Sequence, residues 1–224
     1  MYTFNTLAIK IDMICNKSYQ FITARCIGIA KKLIGKMENT DIMAFILNLV
    51  MIDCGVTTDQ YMIIASYCLR KIRDVGDLDV IVQKNAYNKL KKSKHVKFGK
   101  AHISNDEKIL IELPSLGNNA EIEIFPKKPN VGFPNEYYSL ENLKKNNKLI
   151  SDDFGNQYFN LETCIKHYSS ITVVNGKYIF GGKFTVDRQR VIKNLGHLKT
   201  IKKSMKKSAP KIVDVGIKHL TSIL

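Results

Sequence analysis

Paired cysteine is the first thing this 224-residue chain lacks. Cys15, Cys26, Cys54, Cys68 and Cys164 are scattered and never stand as Cys-x-x-Cys, which argues against a zinc ribbon and against a disulfide framework. His95, His102, His167, His197 and His219 show no ligand spacing with one another or with the cysteines. Long apolar runs are missing too. The longest, Ile42 to Ile52, contains Asn48 and falls far short of the roughly 20 residues that span a bilayer. The apolar start is interrupted by Lys10 and Asp12, so no signal peptide is read there. These absences lead to the expectation of a soluble, cytoplasmic protein with no membrane association.

Acidic residues are scarce: 20 against 35 Lys and Arg, a net charge of +15. Between Lys177 and Leu224 there are 12 basic residues and only two acids, Asp187 and Asp214, so +10 of the excess belongs to the C-terminal quarter. Such a field attracts phosphate polyanions and is silent about fold. A hydrophobic content of 45% and a mean hydropathy of -0.14 fit a packed core.

In chain order, residues 1–36 read as one or two basic amphipathic helices, an N-terminal extension. Thr40-Asp41 reads as a helix start with Thr40 as cap, and the run that follows is apolar nearly all round, ending at Gly55. Tyr61 to Ala65 reads as a buried strand with Ser66 at its end, and a strand carrying Asp77 and Asp79 follows a short connection. Ala86 to Lys92 is a short helix with Tyr87 and Leu90 facing in. Lys108 to Leu113 and Ala120 to Phe125 are strands about a turn at Gly117-Asn118-Asn119. Helix starts at Ser139 and Asn160, and a hairpin or irregular loop over Val173 to Phe184, precede a basic helix from Thr185 that Pro210 breaks. The fold class expected is α+β: a small mixed sheet flanked by helices over 37–135, then a basic, mainly helical region over 136–224.

Chemistry enters with Arg70-Lys71-Ile72-Arg73-Asp74-Val75-Gly76-Asp77-Leu78-Asp79. Side chains alternate along a strand, so Asp77 and Asp79 share one face while Leu78 and Val80 share the other. Taken alone, an Asp-x-Asp is a strand start with its acids in solvent. The order of its surroundings changes that reading. A buried strand ends in the small pair Ala65-Ser66, ten residues (67 to 76) lead to Asp77-Leu78-Asp79, and a later strand offers Glu121 and Glu123 on one face. A small residue at a strand end admits phosphate close to backbone amides. Three carboxylates on adjacent strands suit Mg²⁺ or Mn²⁺ and the in-line displacement of pyrophosphate.

This pattern resembles the nucleotidyltransferase superfamily that shares the DNA polymerase β catalytic fold, and more narrowly its small, toxin-type members. The likeness covers about residues 40–205 and is most specific over 61–125. It implies Ser66 at the triphosphate, Asp77 and Asp79 as ligands of Mg²⁺ (or Mn²⁺), and Glu123 as the third metal carboxylate and base, with Glu121 competing for that place. Ala65 stands where the family's motif begins with Gly, and Glu123 where it more often has Asp. Arg70, Lys71 and Arg73 before the metal strand, Lys166 in a later helix and the pair Asp187-Arg188 are secondary nucleotide-side candidates. The function implied is transfer of a nucleoside monophosphate from a nucleoside triphosphate to an acceptor, RNA such as tRNA being favoured by the basic tail. The competing reading is a member of the same fold that binds nucleotide or nucleic acid without turnover.

Overall fold

The computed structural model describes residues 38–72, 75–93, 101–103, 108–113, 116, 120–126, 140–177 and 188–224. The expectations for residues 1–36, for the turn at 117–119 and for the helix start at Ser139 lie outside them, as do Arg73 and Asp187. Helix α1 (Asn39–Asp53) is apolar round most of its circumference and accordingly buried. Glu38, not Thr40, flanks its start, with no side-chain cap. Thr40 lies inside the first turn, where its hydroxyl donates to the Val75 carbonyl at 3.2 Å. Its place in the core, facing the loop before the strand of Asp77 and Asp79, is what removes it from capping. Gly55 ends the helix as expected. At φ 62° its N–H reaches the Ile52 carbonyl (2.9 Å) and the Val56 N–H reaches that of Met51 (2.8 Å), the pair of bonds that closes a helix through a left-handed glycine.

Strand β1 (Tyr61–Ile64) runs into a short 3₁₀ helix (Ala65–Leu69), and β2 (Asp77–Val82) and helix α2 (Lys84–Lys91) follow. Ala86, Tyr87 and Leu90 are the buried residues of α2. Then come β3 (Ala101–Ile103), β4 (Ile109–Glu112) and β5 (Glu121–Pro126). The C-terminal part contributes α3 (Leu140–Lys145), the strands β6 (Leu149–Ser151) and β7 (Gln157–Phe159), and three further helices. These are α4 (Leu161–Lys177), α5 (Arg188–Met205) and α6 (Lys211–Ile223). The Asn160 side chain accepts the Thr163 N–H at 2.8 Å, the cap expected for α4. The helix runs on to Lys177, so the part of the expected hairpin over 173–177 is helical; its remainder lies outside the described residues. Pro210 separates α5 from α6 as anticipated.

Among the described residues seven strands form one mixed sheet in the order β3-β4-β5-β2-β1-β7-β6. β2 pairs antiparallel with β1 and parallel with β5, while β7 pairs parallel with β1. The architecture is α+β, a mixed sheet between helical layers. One face carries Tyr61, Ile63, Leu78, Val80, Val82, Ile122 and Ile124 against Ile42, Leu47 and Met51 of α1. The other carries Met62, Ile64, Ile81 and Phe159 against α4, α5 and α6. Gly216 lets α6 approach its neighbours: a Cβ there would stand 2.9 Å from the Leu198 Cδ1 and closer still to the Ser169 hydroxyl. No described helix is long and apolar enough to cross a membrane.

A buried polar knot ties the layers together. Asn156, fully buried, accepts a hydrogen bond from the Tyr61 hydroxyl (2.6 Å) and donates to the Ala44 carbonyl (3.1 Å) and to Asp152 (2.8 Å). Asp152 also accepts from the Tyr67 hydroxyl (2.8 Å) and from the Phe154 and Asn156 amides. Burial pushes the Tyr61 phenol up from 10.0 to about 12, and burial with the Asp152 charge raises that of Tyr67 too. A phenol raised on folding supports the fold while it stays protonated. That support is complete below the ordinary value and lost as pH climbs through the folded one. Stability should therefore fall between pH 10 and about 12, read as the midpoint of urea unfolding. Tyr61→Phe should flatten this fall while costing about 1–3 kcal/mol at neutral pH, because the buried Asn156 oxygen loses its donor.

Candidate active site at the β2–β5 junction

Register brings the acids together. In the parallel β2–β5 pair Asp77 stands beside Glu121 and Asp79 beside Glu123. Leu78 beside Ile122 and Val80 beside Ile124, all fully buried, hold that alignment, since a one-residue slip would turn every one of them to the opposite face. Ile64, the last residue of β1, pairs with Asp79. The acids thus lie on the face covered by α4–α6, half-buried, past the apolar patch of Met62, Ile64 and Ile81. Ser66 is the second residue of the 3₁₀ helix that leaves β1 at this same end; its side chain lies outside the described part.

Strand β4 adds a partner that the sequence reading did not assign. Glu112 pairs with Glu121 and Leu110 with Glu123. Lys108, just before β4, places its ammonium 2.6 Å from a Glu123 carboxylate oxygen, with the two side chains only 22% and 18% exposed. The hairpin register could have revealed it, because a strand antiparallel to β5 that begins Lys-Ile-Leu-Ile-Glu carries Lys108 to the acid face. Burial raises the Glu121 carboxyl above its ordinary value of 4.5, Glu123 and Asp77 raise it further, and Lys108 opposes them.

The expected trio of Asp77, Asp79 and Glu123 is juxtaposed but not drawn to one point. Among the described residues no group of three Asp, Glu, His or Cys side chains stands ready to hold a metal ion. Mutual repulsion spreads carboxylates, and Lys108 engages Glu123. The donor set itself fits a hard divalent cation: only carboxylate oxygens, on neighbouring strands about 4.8 Å apart.

The secondary candidates fare differently. Arg70 is built into the fold. Its guanidinium lies over the rings of Tyr67 (4.4 Å) and Tyr158 (4.7 Å) and pairs with Asp41 (3.4 Å). Lys71 is exposed. Lys166 pairs with Glu162 at 2.6 Å one helical turn away, and Glu162 also meets Lys148, the residue before β6. Arg188 reaches the Leu224 carbonyl at 3.4 Å. None of these contacts joins them to the β2–β5 acids. Comparison of the chain with protein-family models, with curated proteins and with solved structures finds no match.

A raised carboxyl favours the fold only while protonated, so ionised Glu121 costs stability at neutral pH. In EDTA, Glu121→Gln should raise the melting temperature at pH 7. The gain should vanish as pH falls below the ordinary value of 4.5, where folded and unfolded chains are both protonated.

Proposed function

We propose that this chain is a metal-dependent nucleotidyltransferase. The observation that carries the reading is the β2–β5 register, which sets Asp77 and Asp79 beside Glu121 and Glu123 at the end of the sheet where β1 gives way to Ser66. Asp77, Asp79 and Glu123 would hold Mg²⁺ or Mn²⁺, and that cation supplies neutralisation of phosphate charge and activation of an attacking oxygen. Glu123 takes the proton of the acceptor hydroxyl. The acceptor oxygen bonds to the α-phosphorus, the bond from that phosphorus to the bridging oxygen breaks, and pyrophosphate leaves. The Ser66 amide lies in the turn where triphosphate oxygens would approach.

The acceptor that the surface favours is RNA. From Arg188 to Val213 there is no acidic residue. Arg188, Lys199 and Lys203 of α5 and Lys206 just beyond it are exposed, and the three in α5 lie along the flank of the apolar face formed by the buried Val191, Leu195, Leu198 and Ile201. A stripe of this kind tracks a phosphate backbone without reading bases. It supports binding of nucleic acid with or without turnover, so the two readings separate at the metal.

Incubation with each α-labelled nucleoside triphosphate, Mg²⁺ or Mn²⁺ and total RNA should transfer label to RNA, and Asp77→Ala/Asp79→Ala should abolish transfer. Label reaching no acceptor under either metal would sink the enzyme reading. Lys199→Glu/Lys203→Glu should weaken RNA binding about equally across sequences and flatten its dependence on salt concentration, measured by filter binding at several ionic strengths.

A further inference from the structure

Strands β2, β4 and β5 carry Asp77, Asp79, Glu112, Glu121 and Glu123 and not one Lys or Arg. The cation that meets them comes from the residue immediately before β4. Ile109 pairs with Ile124 and Leu110 with Glu123, so Lys108 falls opposite Phe125 where the β4–β5 ladder ends. Its ammonium sits 5.9 Å over the Phe125 ring and 2.6 Å from the Glu123 oxygen. Ring and carboxylate hold the head group from two sides. Neither partner is well solvated, so the pair is not one of the loose surface bridges that water and salt cancel.

From this placement we propose that Lys108 is a resident counter-cation of the acid face, which competes with a divalent metal for Glu123. The proposal rests on the reading of Asp77, Asp79 and Glu123 as metal ligands. A dication entering between β2 and β5 meets a Glu123 carboxylate that already holds the ammonium on its Oε1, and two cations at one carboxylate repel. Metal loading is therefore opposed for as long as Lys108 stays on Glu123. The side chain keeps the face folded without metal and raises the metal concentration needed to load it.

Mn²⁺ binding to the full chain, followed by the electron paramagnetic resonance signal of free Mn²⁺, tests this without reference to turnover. Lys108→Met keeps the length and the contact with Phe125 but removes the charge. Lys108→Gln keeps a hydrogen-bond donor and serves if the methionine variant folds poorly. Removing a unit charge from beside the ligand should tighten Mn²⁺ binding roughly tenfold in both. In EDTA both variants should melt below wild type, and saturating Mn²⁺ should raise their melting temperatures by more than it raises that of wild type. Binding should vanish in Asp77→Asn/Asp79→Asn. If that double variant loses Mn²⁺ while Lys108→Met and Lys108→Gln bind it no more tightly than wild type, the competition is overturned and the metal reading stands. If neither wild type nor the Lys108 variants bind Mn²⁺, or if binding survives in Asp77→Asn/Asp79→Asn, both are overturned.

Discussion

Leu78 against Ile122 and Val80 against Ile124 are the contacts on which the rest of this structure depends. All four side chains are shut away from water, and together they set the parallel alignment of β2 with β5. Because successive side chains on a strand face opposite ways, burying these aliphatics forces Asp77, Asp79, Glu121 and Glu123 to the other face and into two adjacent rows. The electrostatic strain of the site is thus a by-product of hydrophobic packing on the reverse side. Fully burying an aliphatic side chain contributes about 1.5–3 kcal/mol, and four such side chains act together against the repulsion of the half-solvated carboxylates. The core wins, and the acids must find cations.

A second constraint holds the end of the sheet where those acids open. Tyr67 and Arg70 follow β1 directly, and both are fastened to the far half of the chain, Tyr67 to Asp152 and Arg70 to the Tyr158 hydroxyl (3.3 Å). The turn after β1 is thereby positioned by residues of the β6–β7 hairpin. The strands that a division at residue 135 would leave in a helical region take part in the same sheet as β1 and help to shape the ground beside Ser66. Arg70 shows how a basic residue in the turn after a strand can be occupied with packing and an ion pair inside the fold.

Much of the site was legible because its signal is local. Alternation of acid and aliphatic in Asp-Leu-Asp-Val and in Glu-Ile-Glu-Ile assigns faces from period two alone, and the long apolar run of α1 with Gly55 behind it marks a buried helix and its end. What escaped was pairing. Nothing within Leu149–Ser151 or Gln157–Phe159 distinguishes a three-residue strand from a loop, because such strands exist through their partners. Lys108 reads as a solvated strand start until β4 is laid against β5. Thr40 resembles a cap by composition, but the Val75 carbonyl, 35 residues away, captures its hydroxyl. Asn156 carries the polar knot through partners as far as 112 residues off, beyond the reach of any window reading.

The parallel seating of β7 on β1 has a consequence in time rather than in space. The Tyr61–Asn156 bond at that seam spans 95 residues, so closing it costs the entropy of a long loop. The outer rim of β1 has no permanent partner until residues 157–159 have been synthesised, and an open strand rim invites the wrong neighbour. As the chain leaves the ribosome, β1 and β2 can meet early while β7 arrives late. The half-built sheet must be kept from sticking during that interval, and most of the chain's positive charge, which lies beyond Lys177, has not yet been made to help.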